Sequence, residues 1–209
     1  MATEPDALIP WQKYPELTKE RLSLIGSVIR DTREDVATLH DPESGDGPWG
    51  FGCRAYERTC FAIEKATEKN SWLTILKDTE RHLRFSFAIG HVPFRFYRGD
   101  PEDPPSRFLA VSYPELRETQ LALDLGVVVP CDGVLRIAIE TDATGRASTI
   151  SVIEMDVSRT VTGLYAIPPD VDRAAVPLRA KPVDTPAPVI EPLTKSAETK
   201  KRERNVSNG

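Results

Sequence analysis

The sequence predicts an α+β domain with a mainly antiparallel sheet of about five to six strands, two N-terminal helices and one inserted helix packed on it, and a disordered C-terminal tail. Two observations support this class. Apolar residues recur at helical spacing over the first 70 positions, and alternating or apolar runs joined by short turns follow them. Hairpin-joined strands pair antiparallel, and we expect helices to cover one face of the sheet. The domain is expected to span 15–168, after an extended segment at 1–14.

Two helices are predicted in the N-terminal third, at 15–40 and at about 51–69. Pro15 suits a first helical turn, where its missing N–H costs no hydrogen bond, and Asp41-Pro42 ends the first helix. That helix carries apolar residues at helical spacing: Leu22, Ile25, Val28, Ile29, Val36 and Leu39. The second helix is expected to bury one stripe: Cys53, Tyr56, Cys60 and Ile63.

A hairpin around Gly90-His91 is the most specific prediction for the sheet. Glycine in the first turn position favours a type II′ turn. In the expected register, large apolar side chains face one another in three pairs: Ile89 with Val92, Phe87 with Phe94, and Phe85 with Phe96. A slip of one residue would scatter these side chains over both faces of the sheet, so the register is strongly favoured.

Pro93 would lie in a non-hydrogen-bonded position of this hairpin. Its ring nitrogen would then point away from the partner strand and could donate nothing to a further strand. The sequence therefore predicts that 92–98 is an edge strand, or that its outer pairing is broken at Pro93. An exposed edge can accept a strand from another chain or from a second copy. Val92, Pro93 and Arg98 are accordingly candidate partner-binding residues.

The inserted helix follows an acidic loop and a possible short strand at 107–112. Ser112 and Glu115 have the spacing of a capping box for a helix over 113–125. Three residues fall on one side of that helix: Leu116, Gln120 and Leu123. The remaining strands are predicted at 72–77, at 134–141 and 148–155 as a second hairpin, and at 159–167.

Residues 169–209 are predicted to form a disordered tail. Seven of the eighteen prolines lie between Pro168 and Pro192, and no aromatic residue follows Tyr165. Prolines deny the backbone helix and ladder hydrogen bonds, and few apolar residues offset the cost of ordering it. Residues 166–209 hold eight Lys/Arg and six Asp/Glu, which leaves 19 basic and 26 acidic residues in 1–165. The predicted domain is therefore acidic, with a net charge of −7.

Composition excludes several classes of protein. The 209 residues hold no apolar run near the roughly 18 that a membrane span needs, and the first residues show no secretory signal. Three cysteines do not suit a disulfide framework. We therefore expect a soluble, cytoplasmic protein that does not act at a membrane.

A basic cluster near the C-terminus is the one feature that suits nucleic acid: Lys200, Lys201 and Arg202. An acidic domain is a poor footprint for a duplex-DNA binder, so this partner is possible but not favoured. The cluster could also contact an acidic partner, and its simplest interpretation is a solubilising terminus.

The loop at 45–50 has the spacing G-x-G-x-x-G. A dinucleotide-binding fingerprint needs a strand before its first glycine, whereas a helix is predicted here, so no nucleotide cofactor is expected. The N-terminus of the following helix, with Arg54 and Arg58 one turn apart, could instead hold a phosphate or carboxylate. The alternative is a loop with two surface arginines that pair with Glu57 or other acids.

The polar face of the Phe hairpin is a second candidate anion site. Arg84, Arg95 and Tyr97 would project together there, and arginines beside an aromatic ring can bind an anionic or single-stranded ligand. The alternative is a solvated sheet face with arginine stems lying over Tyr97. The anion hypothesis requires this group and the Arg54–Arg58 pair to line one pocket.

Catalytic and metal sites are not expected. Carboxylates at strand ends and in loops could hold Mg²⁺ in a phosphodiesterase, but their spacing matches no such motif: Asp100, Glu102, Asp103, Glu140, Asp142, Glu154 and Asp156. Cys53 and Cys60 lie seven residues apart on one helix face without a histidine ligand, which indicates core positions. The sequence therefore assigns no metal, cofactor or catalytic residue.

The favoured interpretation is a small non-catalytic binding or accessory module that acts through protein contact. The contact would use the strand at 92–98 and the tail, with a protein partner or by self-association. The main alternative is an enzyme or sensor that holds an anionic or nucleotide-like ligand through its arginines. The third and least favoured alternative is a nucleic-acid-associated accessory protein that uses the basic tail.

Overall fold

The computed structural model describes residues 6–77, 85–130 and 133–169. Its helices are α1 (Pro10–Lys13), α2 (Lys19–Thr38), α3 (Pro48–Thr67), α4 (Ser106–Leu109) and α5 (Tyr113–Asp124). Its strands are β1 (Asp6–Ala7), β2 (Leu73–Leu76), β3 (Ser86–Ile89), β4 (Val92–Arg98), β5 (Gly133–Thr141), β6 (Ala147–Asp156) and β7 (Val161–Ala166). None of these helices is long and apolar enough to cross a membrane.

The strands form one sheet in the order β1-β7-β6-β5-β4-β3-β2. Four of the neighbouring pairs are antiparallel, whereas β4–β5 and β1–β7 are parallel. The predicted α+β class with a mainly antiparallel sheet is confirmed. The segment predicted to be extended contains the two-residue strand β1 but also the helix α1. The β4–β5 pair is parallel because α4 and α5 form a crossover between these strands, which no hairpin can supply.

The Phe hairpin has the predicted register. Phe87 pairs with Phe94, and Ile89 pairs with Val92. Gly90 has a φ of +61°, while Arg159 is the one described non-glycine residue with a positive φ. A positive φ at the first turn position alone is the pattern of a type II′ turn, as the sequence predicts.

Of the two alternatives predicted for 92–98, the edge strand is wrong, whereas an outer pairing that is broken at Pro93 agrees with the structure. β4 lies between β3 and β5, and its pairing with β5 extends from Phe94 to Arg98. Val92 and Pro93 precede the residues paired with β5, so the missing N–H of Pro93 removes no hydrogen bond from that ladder. The edges of the described sheet are the short strands β1 and β2. Pro93 therefore marks where the β5 pairing begins, and Arg98 lies at its far end.

Helices α2 and α3 differ from the predictions in their first residues. Thr18 Oγ1 accepts a hydrogen bond from the Arg21 N–H at 3.3 Å, so α2 begins at Lys19. α3 begins inside the glycine-rich loop, with Pro48 as its first residue. Of the stripe predicted to be buried on α3, Ile63 is fully buried, Cys60 is partly buried against the core, Cys53 is partly buried, and Tyr56 is exposed. The fully buried residues recur every four positions: Phe51, Ala55, Thr59 and Ile63.

Helices cover both faces of the sheet, whereas one covered face was predicted. Ile25 of α2 and Ile63 of α3 belong to the main core with Phe94 of β4. On the opposite face, Tyr97 of β4 packs with Phe108 of α4. The short strand predicted at 107–112 is also wrong, because 106–109 form the helical turn α4.

The described residues all belong to one compact unit, Met1–Asp172. Several predictions fall outside the part of the chain that the structure describes. They concern the tail beyond Pro169, with Lys200, Lys201 and Arg202, and the candidate ligand residue Arg84.

Candidate functional site

The polar face of the Phe hairpin is buried rather than solvated. Arg95 is 5 % exposed and Tyr97 is 2 % exposed. The Arg95 guanidinium lies 4.9 Å from the centre of the Phe108 ring and donates to the carbonyl of Ala110 at 3.3 Å. The Tyr97 hydroxyl donates to the carbonyl of Asp100 at 3.0 Å, and burial raises the pKa of Tyr97. Both side chains thus join the sheet to the segment that crosses from β4 to β5.

The described arginines of the predicted anion site lie apart. Arg54 of α3 pairs with Asp46 in the preceding loop, with 2.7 Å between Nη2 and Oδ2, and Arg58 is exposed. The hydrogen bond from Arg54 lowers the pKa of Asp46. α3 packs on the sheet face that carries Phe96, as the 5.3 Å contact between the Tyr56 and Phe96 rings shows. Arg95 projects from the opposite face, so these residues do not line one pocket.

Some of the acidic residues singled out by the sequence hold turns together, and Cys60 packs against the core. Asp142 Oδ1 accepts hydrogen bonds from the N–H groups of Thr144 and Arg146 in the β5–β6 turn. Burial raises the pKa of Cys60 to about 12, so this thiol stays protonated and unreactive near neutral pH. Among the described residues, no group of three or more His, Cys, Asp and Glu side chains is arranged to hold a metal ion.

A buried ion pair joins β5 to α5. Arg136 Nη1 lies 2.7 Å from Glu115 Oε1, and each side chain is 1 % exposed. The Nε of Arg136 also donates to the carbonyl of Phe108 at 2.7 Å. The other carboxylate oxygen of Glu115 accepts from the Ser112 N–H at 2.7 Å, which completes the predicted capping box. Burial lowers the pKa of Arg136, and Glu115 opposes that shift.

The inward position of Glu115 leaves an apolar side of α5 exposed. Tyr113, Leu116 and Leu123 are 76 %, 56 % and 46 % exposed, respectively. Their spacing of three and ten residues places them on one side of the helix, and they are named here the α5 stripe. Glu115 and Ala122 are buried instead. The helix therefore buries a carboxylate and presents apolar side chains to solvent.

The surroundings of the α5 stripe are mixed, because Arg117, Gln120 and Asp124 of the same helix are also exposed. Exposed apolar residues flank it in the sequence: Val111, Leu121, Leu125 and Val128. A small cavity of about 80 Å³ adjoins Leu116, and Pro93 forms part of its wall. Glu115 and Arg136 contribute opposite charges to the same wall. The surface thus offers a binding partner apolar contacts with a polar rim.

The sequence predicts that Leu116 and Leu123 share one side of the helix, but it does not predict that this side faces solvent. Leu116, Gln120 and Leu123 fall on one side of the predicted helix, and a helix usually turns such a side toward the core. The partner that draws Glu115 inward is Arg136, which lies on a strand whose neighbours the sequence does not specify.

Comparison of the chain with protein-family models, curated proteins and solved structures found no match.

Proposed function

We propose that the protein is a non-catalytic binding module whose α5 stripe docks on an apolar segment of a different protein. The observation that carries this proposal is the exposure of Tyr113, Leu116 and Leu123 on a helix that buries Glu115. Exposed apolar side chains grouped on one side of a helix are typical of interaction sites. Helices dock in apolar grooves through residues at such spacing.

A second copy of the chain is the less favourable occupant. Symmetric antiparallel packing of two stripes would place Tyr113 against Leu123, and its two-fold axis would pass near residue 118. Arg117, one residue from that axis and exposed, would then approach Arg117 of the other copy. Like charges so placed are unfavourable, and a net charge of −5 on each chain adds repulsion. We therefore expect a monomer that binds another protein.

The α5 stripe replaces the strand at 92–98 as the proposed contact, because β4 has no free edge. The tail remains a proposed second contact. Docking of the stripe requires no catalytic group and no cofactor, in agreement with a binding module.

Affinity capture with matched variants tests the proposal. The double variant Leu116→Ser/Leu123→Ser removes the apolar character of the stripe, and Phe61→Ser removes an exposed apolar residue of α3, where Phe61 is 60 % exposed. We expect one partner, identified by mass spectrometry, that the wild type and Phe61→Ser capture and the double variant loses. Light scattering should show a monomer for all three chains. Equal capture by all three, or a wild-type dimer that the double variant abolishes, would contradict the proposal.

A further inference from the structure

A cleft of about 400 Å³ lies beside α1, at the end of the sheet formed by β6, β7 and β1. Its walls are residues 7–9, Gln12 and Lys13 of α1, Glu154 of β6, and Thr162 and Gly163 of β7. Glu154 and Lys13 are the charged members of this lining. The cleft therefore combines one carboxylate, one ammonium group and otherwise uncharged walls.

Glu154 holds the ammonium group of Lys13. The Glu154 side chain is 11 % exposed, and its Oε1 accepts from Lys13 Nζ at 2.6 Å and from the Tyr14 hydroxyl at 2.5 Å. Lys13 Nζ also lies 5.6 Å from the centre of the Tyr14 ring. A carboxylate beside an aromatic ring is a favourable environment for an ammonium group. The position of Lys13 Nζ is thus an ammonium site occupied by the protein's own side chain.

Lys13 can leave this site at small cost, whereas Glu154 would then keep the Tyr14 hydroxyl as a donor but have no neutralising cation among the lining residues. The Lys13 side chain is 56 % exposed and belongs to the four-residue helix α1. An exposed lysine gains rotamer freedom and hydration when it leaves an ion pair. A largely buried carboxylate without a neutralising cation is unfavourable, even with one hydroxyl donor. Exchange of one ammonium group for another satisfies both requirements.

Gly163, the neighbour of Glu154 on β7, adds no side chain to a crowded wall of the cleft. It pairs with Glu154 across β6 and β7 and has no side chain beside the carboxylate. A Cβ atom at Gly163 would lie 3.2 Å from Leu8 Cβ and 3.6 Å from Glu154 Cβ. A side chain at this position would therefore crowd Leu8 and the stem of Glu154.

We propose that this cleft binds a small alkylammonium ligand. The ligand's ammonium group replaces that of Lys13 on Glu154, and its alkyl part lies against the apolar lining at Leu8 and Ile9. Lys13 acts as an internal competitor that occupies the site when the ligand is absent. The site is separate from the α5 stripe and independent of the proposed protein-binding function.

Calorimetric titration of the full-length chain with n-butylammonium chloride, at constant ionic strength, tests this site. Lys13→Ala should bind butylammonium at least about tenfold more tightly than the wild type, because no tethered ammonium group competes. Adding Glu154→Gln to that variant should abolish binding. Lys65→Ala is the matched control, since the Lys65 side chain is likewise 56 % exposed and lies 2.7 Å from Glu68, whose side chain is 61 % exposed.

A folded Lys13→Ala chain that binds butylammonium no more tightly than Lys65→Ala would overturn the proposal. Equal binding of uncharged 1-butanol would overturn it too, because the carboxylate selects for charge. The wild-type chain supplies a measurement that needs no Lys13 variant: butylammonium should raise its melting temperature more than that of Glu154→Gln. Equal shifts in these two chains would contradict the assignment of the ammonium site to Glu154.

Discussion

Arg136 and Glu115 lie 2.7 Å apart with both side chains 1 % exposed, and their ion pair fixes the side of α5 that faces the sheet. The pair joins β5 to the segment that crosses from β4 to β5. In the same segment, the carbonyl of Phe108 accepts a hydrogen bond from Arg136 Nε. Because Glu115 takes the inward position, Leu116 and Tyr113 take outward ones. The exposure of the α5 stripe is therefore a consequence of one buried charge pair.

Loss of one partner of this pair should destabilise the fold strongly. Glu115→Ala leaves the Arg136 guanidinium buried without a carboxylate, and the free energy of unfolding should fall by about 3–5 kcal/mol. Urea denaturation followed by circular dichroism measures this change. Glu68→Ala, which breaks an exposed pair with Lys65, is the control and should cost less than about 1 kcal/mol. Similar costs for the two substitutions would show that the buried pair does not anchor α5.

Alanine should be tolerated less well at Gly90, in the turn of the Phe hairpin, than at Gly126, a glycine with a similar backbone conformation. Gly90 has a φ of +61°, and a Cβ atom there would lie 2.0 Å from Glu16 Oε2. Gly126 has a φ of +71°, and a Cβ atom there meets no atom within 4 Å. Both substitutions carry about 1–2 kcal/mol of left-handed strain, and Gly90→Ala must also displace Glu16. We expect a lower melting temperature for Gly90→Ala than for Gly126→Ala. Adding Glu16→Ala to Gly90→Ala should recover part of the difference.

The β5–β6 turn should lose stability in acid through Asp142. Hydrogen bonds from the Thr144 side chain, and then from the N–H groups of Thr144 and Arg146, lower the pKa of Asp142 from its ordinary value of 3.8. As the pH falls, the Asp142 carboxylate is therefore protonated in the unfolded chain before it is protonated in the folded chain. The stability from the ionised carboxylate is present above about pH 3.8 and is lost as the pH falls through the folded-state pKa.

Urea denaturation of the wild type and Asp142→Asn between pH 6 and pH 3 measures this contribution. The difference between their unfolding free energies should shrink as the pH falls below about 3.8. Thr144→Val removes the largest cause of the shift, so the wild-type pH dependence should weaken in that variant. A difference that stays constant over the whole range would exclude a role for the charge of Asp142.

Local patterns in the sequence predict the hairpin and the capping box. The register of β3 and β4 follows from alternating phenylalanines around Gly90, and the Ser112–Glu115 spacing gives the first turn of α5. These features depend on residues within a few positions of one another, so a single sequence contains the necessary information.

Strand order and the ammonium cleft depend on contacts that are distant in the sequence. Pro93 suggests an edge, yet the crossover through α5 brings β5 beside β4 at the next residue, Phe94. Tyr14 and Glu154 meet although 140 residues separate them. Neither relation produces a periodic pattern in the sequence. The pairing of Arg136 with Glu115 produces none either.

The central claim is that the α5 stripe binds a partner protein. The dissociation constant between the protein and the captured partner tests this claim most directly. Purified wild-type protein, Leu116→Ser/Leu123→Ser and Phe61→Ser would be titrated with that partner by calorimetry, after equal melting temperatures establish that all three chains are folded. We expect the double variant to bind at least about tenfold more weakly, since removing buried apolar contacts of two leucines costs more than 1.4 kcal/mol. Phe61→Ser should bind like the wild type. Wild-type affinity in the double variant, or an equal loss in Phe61→Ser, would contradict docking through the α5 stripe.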